Sequence, residues 1–106
     1  MRILFDQGTP VPLRRHLQTH NIETVYEKGW STLKNGELLT RAEAAGFEAL
    51  ITTDQNLRYQ QNLADRKISI VALLTTSWPR IKKSIDSISI VIDHLQPGDY
   101  VEIPIP

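Results

Sequence analysis

Several features that would point to a particular class of protein are missing from this chain of 106 residues. It has no cysteine, which excludes a disulfide scaffold and a zinc site built on thiolates. No apolar stretch approaches the roughly 20 residues needed to cross a bilayer, and the opening MRILFD is typical of a strand rather than of a secretion signal. We therefore expect a soluble cytoplasmic protein.

The chain also has no excess of charge of either sign. Its 12 Lys and Arg residues balance 12 Asp and Glu residues. The molecule as a whole therefore has no field that would attract nucleic acid, and a polyanion must be held by a local patch or through bound metal ions. With 41% hydrophobic and 23% charged residues, the composition is that of one ordinary globular domain covering residues 1–106.

Strand-like and helix-like segments alternate along the sequence. Apolar or β-branched runs predict five strands, at residues 2–6, 22–27, 47–53, 68–74 and 100–105. Capping residues and the helical spacing of apolar residues predict helices at residues 9–20, 35–46, 54–66 and 78–95. This alternation predicts an α/β fold, a three-layer α/β/α domain whose five-stranded sheet is mostly parallel.

Residues at the predicted boundaries support this assignment. Thr9 is expected to cap the first helix with Pro10 in its first turn, and Asn35 is expected to cap the second helix, which ends at Gly46. The fourth strand is apolar throughout, as central parallel strands are, whereas Pro104 suggests that the last strand lies at an edge.

Two aspartates stand at the carboxyl ends of predicted strands. Asp6 follows the first strand and has no capping task, because Thr9 and Pro10 already begin the next helix. Asp54 follows the third strand, where it either caps a helix or holds a metal ion, and Thr53 offers a substitute cap. Ligands of doubly wound sheets bind beyond the strand ends where the strand order reverses. If strands one and three are neighbours, the two like charges lie side by side and call for a cation between them.

Glu37 is a third candidate, in the first turn of the second predicted helix. Three carboxylates at one edge of the sheet suit a hard cation such as Mg²⁺ or Mn²⁺, which activates water and neutralises charge during phosphodiester cleavage. The structural alternatives are an Asx-type turn that leads from Asp6 into Gly8, and a favourable contact of Glu37 with the helix dipole.

Other residues give weaker indications. His16 and His20 have helical spacing without an evident third metal ligand, so a solvated helix face is the better interpretation. Trp30 either stacks on a base or pins its loop to the core. A set of cations could line the same edge and meet phosphates: Arg14, Arg15, Lys28, Lys34 and Arg58.

Three segments in order, ILFDQGTP, GWSTLKNGELL and LITTDQNL, resemble the short PIN-like proteins grouped as domain of unknown function 5615. PIN-type domains are metal-dependent ribonucleases, often toxins of bacterial toxin–antitoxin pairs, with clustered acids around Mg²⁺ or Mn²⁺. The resemblance covers essentially the whole chain. It implies that Asp6, Glu37 and Asp54 are catalytic and metal-binding acids and that RNA is the substrate. It also allows a cognate antitoxin as a protein partner. A homodimer is a further alternative.

Further residues are expected to support this site or to contact the substrate: Gln7, Asn35, Thr53, Asn56, Arg14, Lys34 and Arg58. The chain departs from the PIN-like pattern in two places. Gln7 offers a neutral amide where relatives have a charge, and the loop TTSW at residues 75–78 has no fourth acid. Both departures weaken a second metal site.

Two other functions fit parts of the sequence. A PIN-like module that has lost catalysis and binds a partner is favoured by the neutral charge and the missing fourth acid. A phosphoacceptor receiver domain would use Asp54 as its phosphorylated residue and Thr75 or Thr76 as its switch hydroxyl. That fold needs an acidic pair after the first strand and a lysine after the last, whereas this chain has Asp6-Gln7 and Ile103-Pro104.

Overall fold

Five parallel strands form a single sheet in the computed structural model, which describes residues 1–57, 63 and 65–106. The strands are β1 (Arg2–Phe5), β2 (Asn21–Thr24), β3 (Ala49–Thr52), β4 (Ser69–Leu73) and β5 (Tyr100–Ile103). All five predicted strands are therefore confirmed, with ends that differ by no more than three residues. The predicted α/β class is confirmed as well, and the sheet is wholly parallel rather than mostly so.

The strand order β2-β1-β3-β4-β5 makes β1 and β3 neighbours. Leu4 of β1 is aligned with Leu50 of β3, so the two strands end at the same edge of the sheet. The chain crosses β1 in passing from β2 to β3, and the direction of strand addition reverses there. This reversal point is where ligands bind in doubly wound sheets. β5 lies at an edge, as Pro104 suggested, and β4 is buried along its whole length.

The first helical segment is a 3-10 helix, Val11–His16, and not the α-helix predicted over residues 9–20. Pro10 and Pro12 lack the N–H groups that an α-helix needs. The first turn instead closes by a hydrogen bond between residues three apart, in which Leu13 N donates to Pro10 O. Thr9 does not cap it, because its hydroxyl donates to the carbonyl of Ile51 at 2.9 Å. The prediction of a Thr9 cap was wrong, and the side chain fastens this loop to β3 instead.

Three α-helices follow among the described residues: α1 (Asn35–Ala44), α2 (Trp78–Lys82) and α3 (Ile85–Asp93). α1 begins where the second helix was predicted to begin and ends at Ala44, two residues before Gly46, whose φ is +87°. The single helix predicted over residues 78–95 was wrong in one respect, since it is interrupted at Lys83 and Ser84. The backbone tightens there through bonds three residues apart, from Lys83 N to Arg80 O and from Ser84 N to Ile81 O.

The fourth predicted helix, residues 54–66, includes residues 58–62 and 64, which lie outside the described residues. Leu57, within that prediction, is fully buried. No helix among the described residues is long and apolar enough to span a membrane.

Apolar residues alternate between the two faces of the sheet, and each face is covered. Ile3 and Phe5 pack on one face with isoleucines of α2 and α3, at the helical spacing seen in the sequence. Leu4 and Leu50 pack on the other face with α1. The helices thus lie on both sides of the sheet, and its carboxyl edge carries the polar residues described next.

Candidate functional site

Asp6 lies at the point where β1 leaves the sheet. Its N–H donates to Ile51 O at 2.9 Å, and Thr9 N donates back to Asp6 O at 3.2 Å, which closes a tight turn. Gly8 stands third in that turn with a φ of +88°, where a side chain would be strained. The Asp6 carboxylate also accepts the N–H of the adjacent Gln7 at 2.9 Å, one residue short of the bond that defines an Asx turn.

Thr52, the last residue of β3, connects Asp6 to Asp54. Its fully buried hydroxyl donates to Oδ2 of Asp6 at 2.9 Å and accepts the N–H of Asp54 at 3.0 Å. One hydroxyl thereby fixes the position of the first carboxylate and the backbone that carries the second. The two aspartates at the ends of β1 and β3 are therefore held as a pair.

Asp54 uses its two oxygens for different purposes. Oδ1 accepts the N–H of Asn56 at 2.9 Å, which is the bond of an Asx turn or a helix cap. Oδ2 accepts Nδ2 of Asn35 at 3.3 Å. The predicted cap at Asn35 was wrong: Lys34 is the boundary residue of α1, and it makes no side-chain bond. Asn35 instead joins the start of α1 to the aspartate pair.

The electrostatics of the pair follow from burial and from like charge. Partial burial of Asp6 raises its pKa above the ordinary value of 3.8, and the charge of Asp54 raises it further. Hydrogen bonds from Thr52 and Gln7 oppose that rise without cancelling it. An ionised Asp6 is therefore costly to the folded protein, and a bound cation would remove the cost.

Glu37 occupies a different position. It is exposed in the first turn of α1 and lines a groove of about 450 Å³ with Arg41 and Arg66. Arg66 is held by Glu43 at 2.8 Å. No three Asp, Glu or His side chains among residues 1–57, 63 and 65–106 are grouped so that they could hold a metal ion. The structure brings Asp6 and Asp54 together without Glu37, whose role as a ligand stays a prediction.

The remaining predicted site residues are distributed around the pair. Gln7 and Arg14 line a cavity that Asp6 also lines. Thr53 lies against the Asp6 turn, since a Cβ on Gly8 would stand 2.7 Å from its hydroxyl oxygen. Lys34 is exposed beside the start of α1, and Arg58 lies outside the described residues.

The aromatic and histidine candidates have structural contacts. Trp30 meets the Phe47 ring edge-on at 6.1 Å and lies beneath Lys28, which supports the loop-pinning interpretation. His16 stacks obliquely on Trp78 at 5.8 Å, and His20 is 3.5 Å from Asp93.

Sequence reasoning missed two residues. Thr52 was passed over in favour of Thr53, although a hydroxyl at the end of a strand buried on both faces must find partners. Tyr26 was also missed: 81% of its surface is exposed, and it lines the same cavity as Asp6. A tyrosine just beyond a strand that ends beside the reversal point was the available indication.

The fold and the paired carboxylates define a small α/β domain with a five-stranded parallel sheet and a polar site at the reversal point of the strand order. No protein-family model, curated protein or solved structure matches the chain.

Proposed function

We propose that this protein is a metal-dependent ribonuclease in which Asp6 and Asp54 bind one Mg²⁺ or Mn²⁺ ion. The observation that carries the proposal is the pairing of these two carboxylates, through Thr52, at the carboxyl ends of neighbouring strands. Paired carboxylates at the reversal point, one with a raised pKa, are an arrangement that a divalent cation stabilises.

The donor atoms suit such an ion. A carboxylate offers about four lone-pair positions. Among the described residues each carboxylate accepts two hydrogen bonds, from Gln7 and Thr52 in Asp6 and from Asn56 and Asn35 in Asp54. Lone pairs therefore remain on both side chains. Mg²⁺ characteristically uses one or two carboxylates and keeps several waters, so a pair is sufficient and three protein acids are not required.

The surrounding residues orient the two ligands. Thr52 holds the Asp6 carboxylate against rotation, and Asn35 does the same for Asp54. A bound divalent ion activates water and neutralises the charge that develops on a phosphodiester. The strand ends and the hydrogen bonds already fix the two carboxylates. Little free energy is therefore needed to order them when an ion binds.

RNA as the substrate, and an antitoxin as partner, rest on the resemblance of the three sequence segments to PIN-like proteins. By the resemblance to PIN-like proteins, Glu37 would be a third metal-binding acid. The two-carboxylate site proposed from the geometry differs from it in a testable way, because Glu37 then contributes little to metal affinity. The absence of a fourth acid in the loop at 75–78 agrees with a single ion.

The test compares thermal unfolding and RNA cleavage in wild type, Asp6→Asn, Asp54→Asn and Glu37→Gln, with and without Mn²⁺. An ion that binds only the folded state, present at about 100 times its Kd, stabilises it by about 2.7 kcal/mol. We expect this stabilisation and the cleavage to disappear in both aspartate variants, while Glu37→Gln retains the metal response. Asp86→Asn, which removes an exposed carboxylate from α3, is the matched control and should behave as wild type.

Other results separate the alternatives. Metal binding without cleavage of any RNA would favour the interaction module that has lost catalysis. The strand order β2-β1-β3-β4-β5 is also compatible with a receiver domain, and phosphorylation of Asp54 by acetyl phosphate would favour that function. No metal response and no cleavage in wild type would refute the ribonuclease proposal.

A further inference from the structure

A cavity of about 500 Å³ opens beside Asp6, one member of the aspartate pair. It lies between the turn that follows β1 and the loop that follows β2, and Asp6 forms part of its wall. Its volume is within the range of cavities that hold small organic molecules or cofactors. A ligand in this cavity would therefore be next to the proposed metal site.

Tyr26 stands at this cavity with 81% of its surface exposed, which is unusual for a large aromatic side chain. Its backbone is nevertheless well held. Thr24 and Glu27 exchange two hydrogen bonds, of 2.9 and 3.0 Å, on either side of it, and Gly29 N donates to Tyr26 O at 3.0 Å. A flat ring is thus presented on an ordered turn, so that little ordering cost is left for a ligand that stacks on it.

The charges of the lining residues argue against a phosphate inside this cavity. Arg14 is the one cation among the described residues that line it, and Glu27 holds both of its terminal nitrogens at 2.8 and 3.2 Å. Asp6 adds a negative charge. An anion would be repelled here, whereas an uncharged aromatic ring would meet the apolar lining residues and Tyr26.

Polar recognition is available at one end. Gln7 is exposed on the cavity wall, and its side-chain amide offers both a donor and an acceptor. Nucleobases have complementary donors and acceptors along their edges, and Gln pairs well with adenine. A flat ring with a hydrogen-bonding edge matches Tyr26 and Gln7 together.

We propose that this cavity binds one nucleobase of single-stranded RNA, stacked on Tyr26, in the nucleotide next to the phosphodiester at Asp6 and Asp54. The inference rests on the proposed ribonuclease function and specifies its substrate as unpaired RNA. Aromatic side chains that stack on bases are the common device for holding single strands, because every base has a face that can stack. A duplex would keep its bases out of the cavity.

The test is fluorescence anisotropy with a fluorescein-labelled oligoadenylate decamer, in Mg²⁺ and in EDTA, with the probe checked for cleavage on a denaturing gel. Replacing a stacking aromatic by alanine weakens binding by about 5- to 150-fold. We expect that loss in Tyr26→Ala, near wild-type affinity in Tyr26→Phe, and no change in Ile90→Ala, which removes an exposed apolar side chain of α3. The same RNA annealed to its complement should bind more weakly than the single strand.

Equal affinity of wild type and Tyr26→Ala, equal affinity for duplex and single strand, or no binding by wild type would each overturn the inference. Cleavage and the Mn²⁺ thermal response report separately on the aspartate pair. If both persist in Tyr26→Ala together with unchanged binding, the base site is wrong and the ribonuclease stands. If Tyr26→Ala loses RNA affinity while wild type shows neither cleavage nor a metal response, the base site stands and the ribonuclease is wrong.

Discussion

Replacing Thr52 by valine should destabilise the protein although valine has nearly the same shape. The hydroxyl of Thr52 is fully buried and serves two partners, the Asp6 carboxylate at 2.9 Å and the Asp54 N–H at 3.0 Å. Valine fills the same space and leaves both partners without this bond. A hydrogen bond to a charged group contributes about 1.5–3 kcal/mol, and one between neutral groups about 0.5–1.5 kcal/mol. We therefore expect Thr52→Val to lower the free energy of unfolding by about 2–4 kcal/mol.

Thr52→Ser is the matched control, because it keeps the hydroxyl and removes only a methyl group. Its cost should be about 1 kcal/mol, from the loss of one buried carbon. Urea unfolding, followed through the fluorescence of the two tryptophans, measures both variants. With slopes of about 1–3 kcal/mol/M, valine should lower the midpoint of unfolding by roughly 1–2 M relative to wild type, and serine by less. A valine variant as stable as the serine variant would refute the bridging role of Thr52.

The same pair of variants gives a pH test. The bond from Thr52 favours the ionised form of Asp6 and so lowers its pKa, against the larger opposite effect of burial. Thr52→Val should therefore raise the pKa of Asp6 further. The difference in free energy of unfolding between the valine and serine variants should be full at neutral pH and should shrink as pH falls through the pKa of Asp6. A protonated carboxyl gains less from the hydrogen bond of the hydroxyl, so it loses less when that hydroxyl is removed. A difference that does not depend on pH would show that Asp6 is not the partner that matters.

Three further predictions concern the framework. Gly8→Ala should destabilise the protein by about 1–3 kcal/mol, measured by urea unfolding, because φ at this position is +88°. Two opposing effects act on the pKa of Glu43: burial raises it, but hydrogen bonds from Arg66 and from two backbone N–H groups lower it below 4.5. The ionised Glu43 should thus stabilise the protein fully above pH 4.5, and this stabilisation should disappear as pH falls through the lower folded pKa. Glu43→Gln should therefore have a lower free energy of unfolding than wild type at neutral pH, and the difference in unfolding scans should shrink in acid. Ile88→Ala should cost about 2–5 kcal/mol and Ile90→Ala within about 0.5 kcal/mol, since the first side chain is fully buried and the second is 61% exposed.

The alternation of apolar runs was enough to predict the sheet, because parallel strands that are buried on both faces must be apolar throughout. The prediction that Asp6 and Asp54 lie side by side required one further condition, that β1 and β3 are neighbours. The strand order confirms that β1 and β3 are neighbours. The single helix predicted over residues 78–95 was less successful, because the structure divides it into α2 and α3. The break at Ser84 has no proline or glycine to announce it, and local tightening of the backbone decides it.

Capping residues were the weakest part of the prediction. Thr9 and Asn35 have the right residue types, yet each uses its side chain for a long-range contact, with Ile51 and with Asp54 respectively. A polar side chain near a strand end has two kinds of partner available, and the sequence does not show which one lies closer. Asp54 likewise has a local and a long-range partner: one oxygen accepts the N–H of Asn56 in the turn, and the other accepts Nδ2 of Asn35. Metal binding by Asp54 stays a prediction.

The central claim is that Asp6 and Asp54 together hold one divalent cation. The most direct measurement is a crystal structure of the protein grown with Mn²⁺, with data collected to reveal the anomalous scattering of manganese. We expect one anomalous peak within bonding distance of both carboxylates, with water completing the coordination and no bond to Glu37. A peak at Glu37 alone, or no peak between the two aspartates at saturating Mn²⁺, would contradict it.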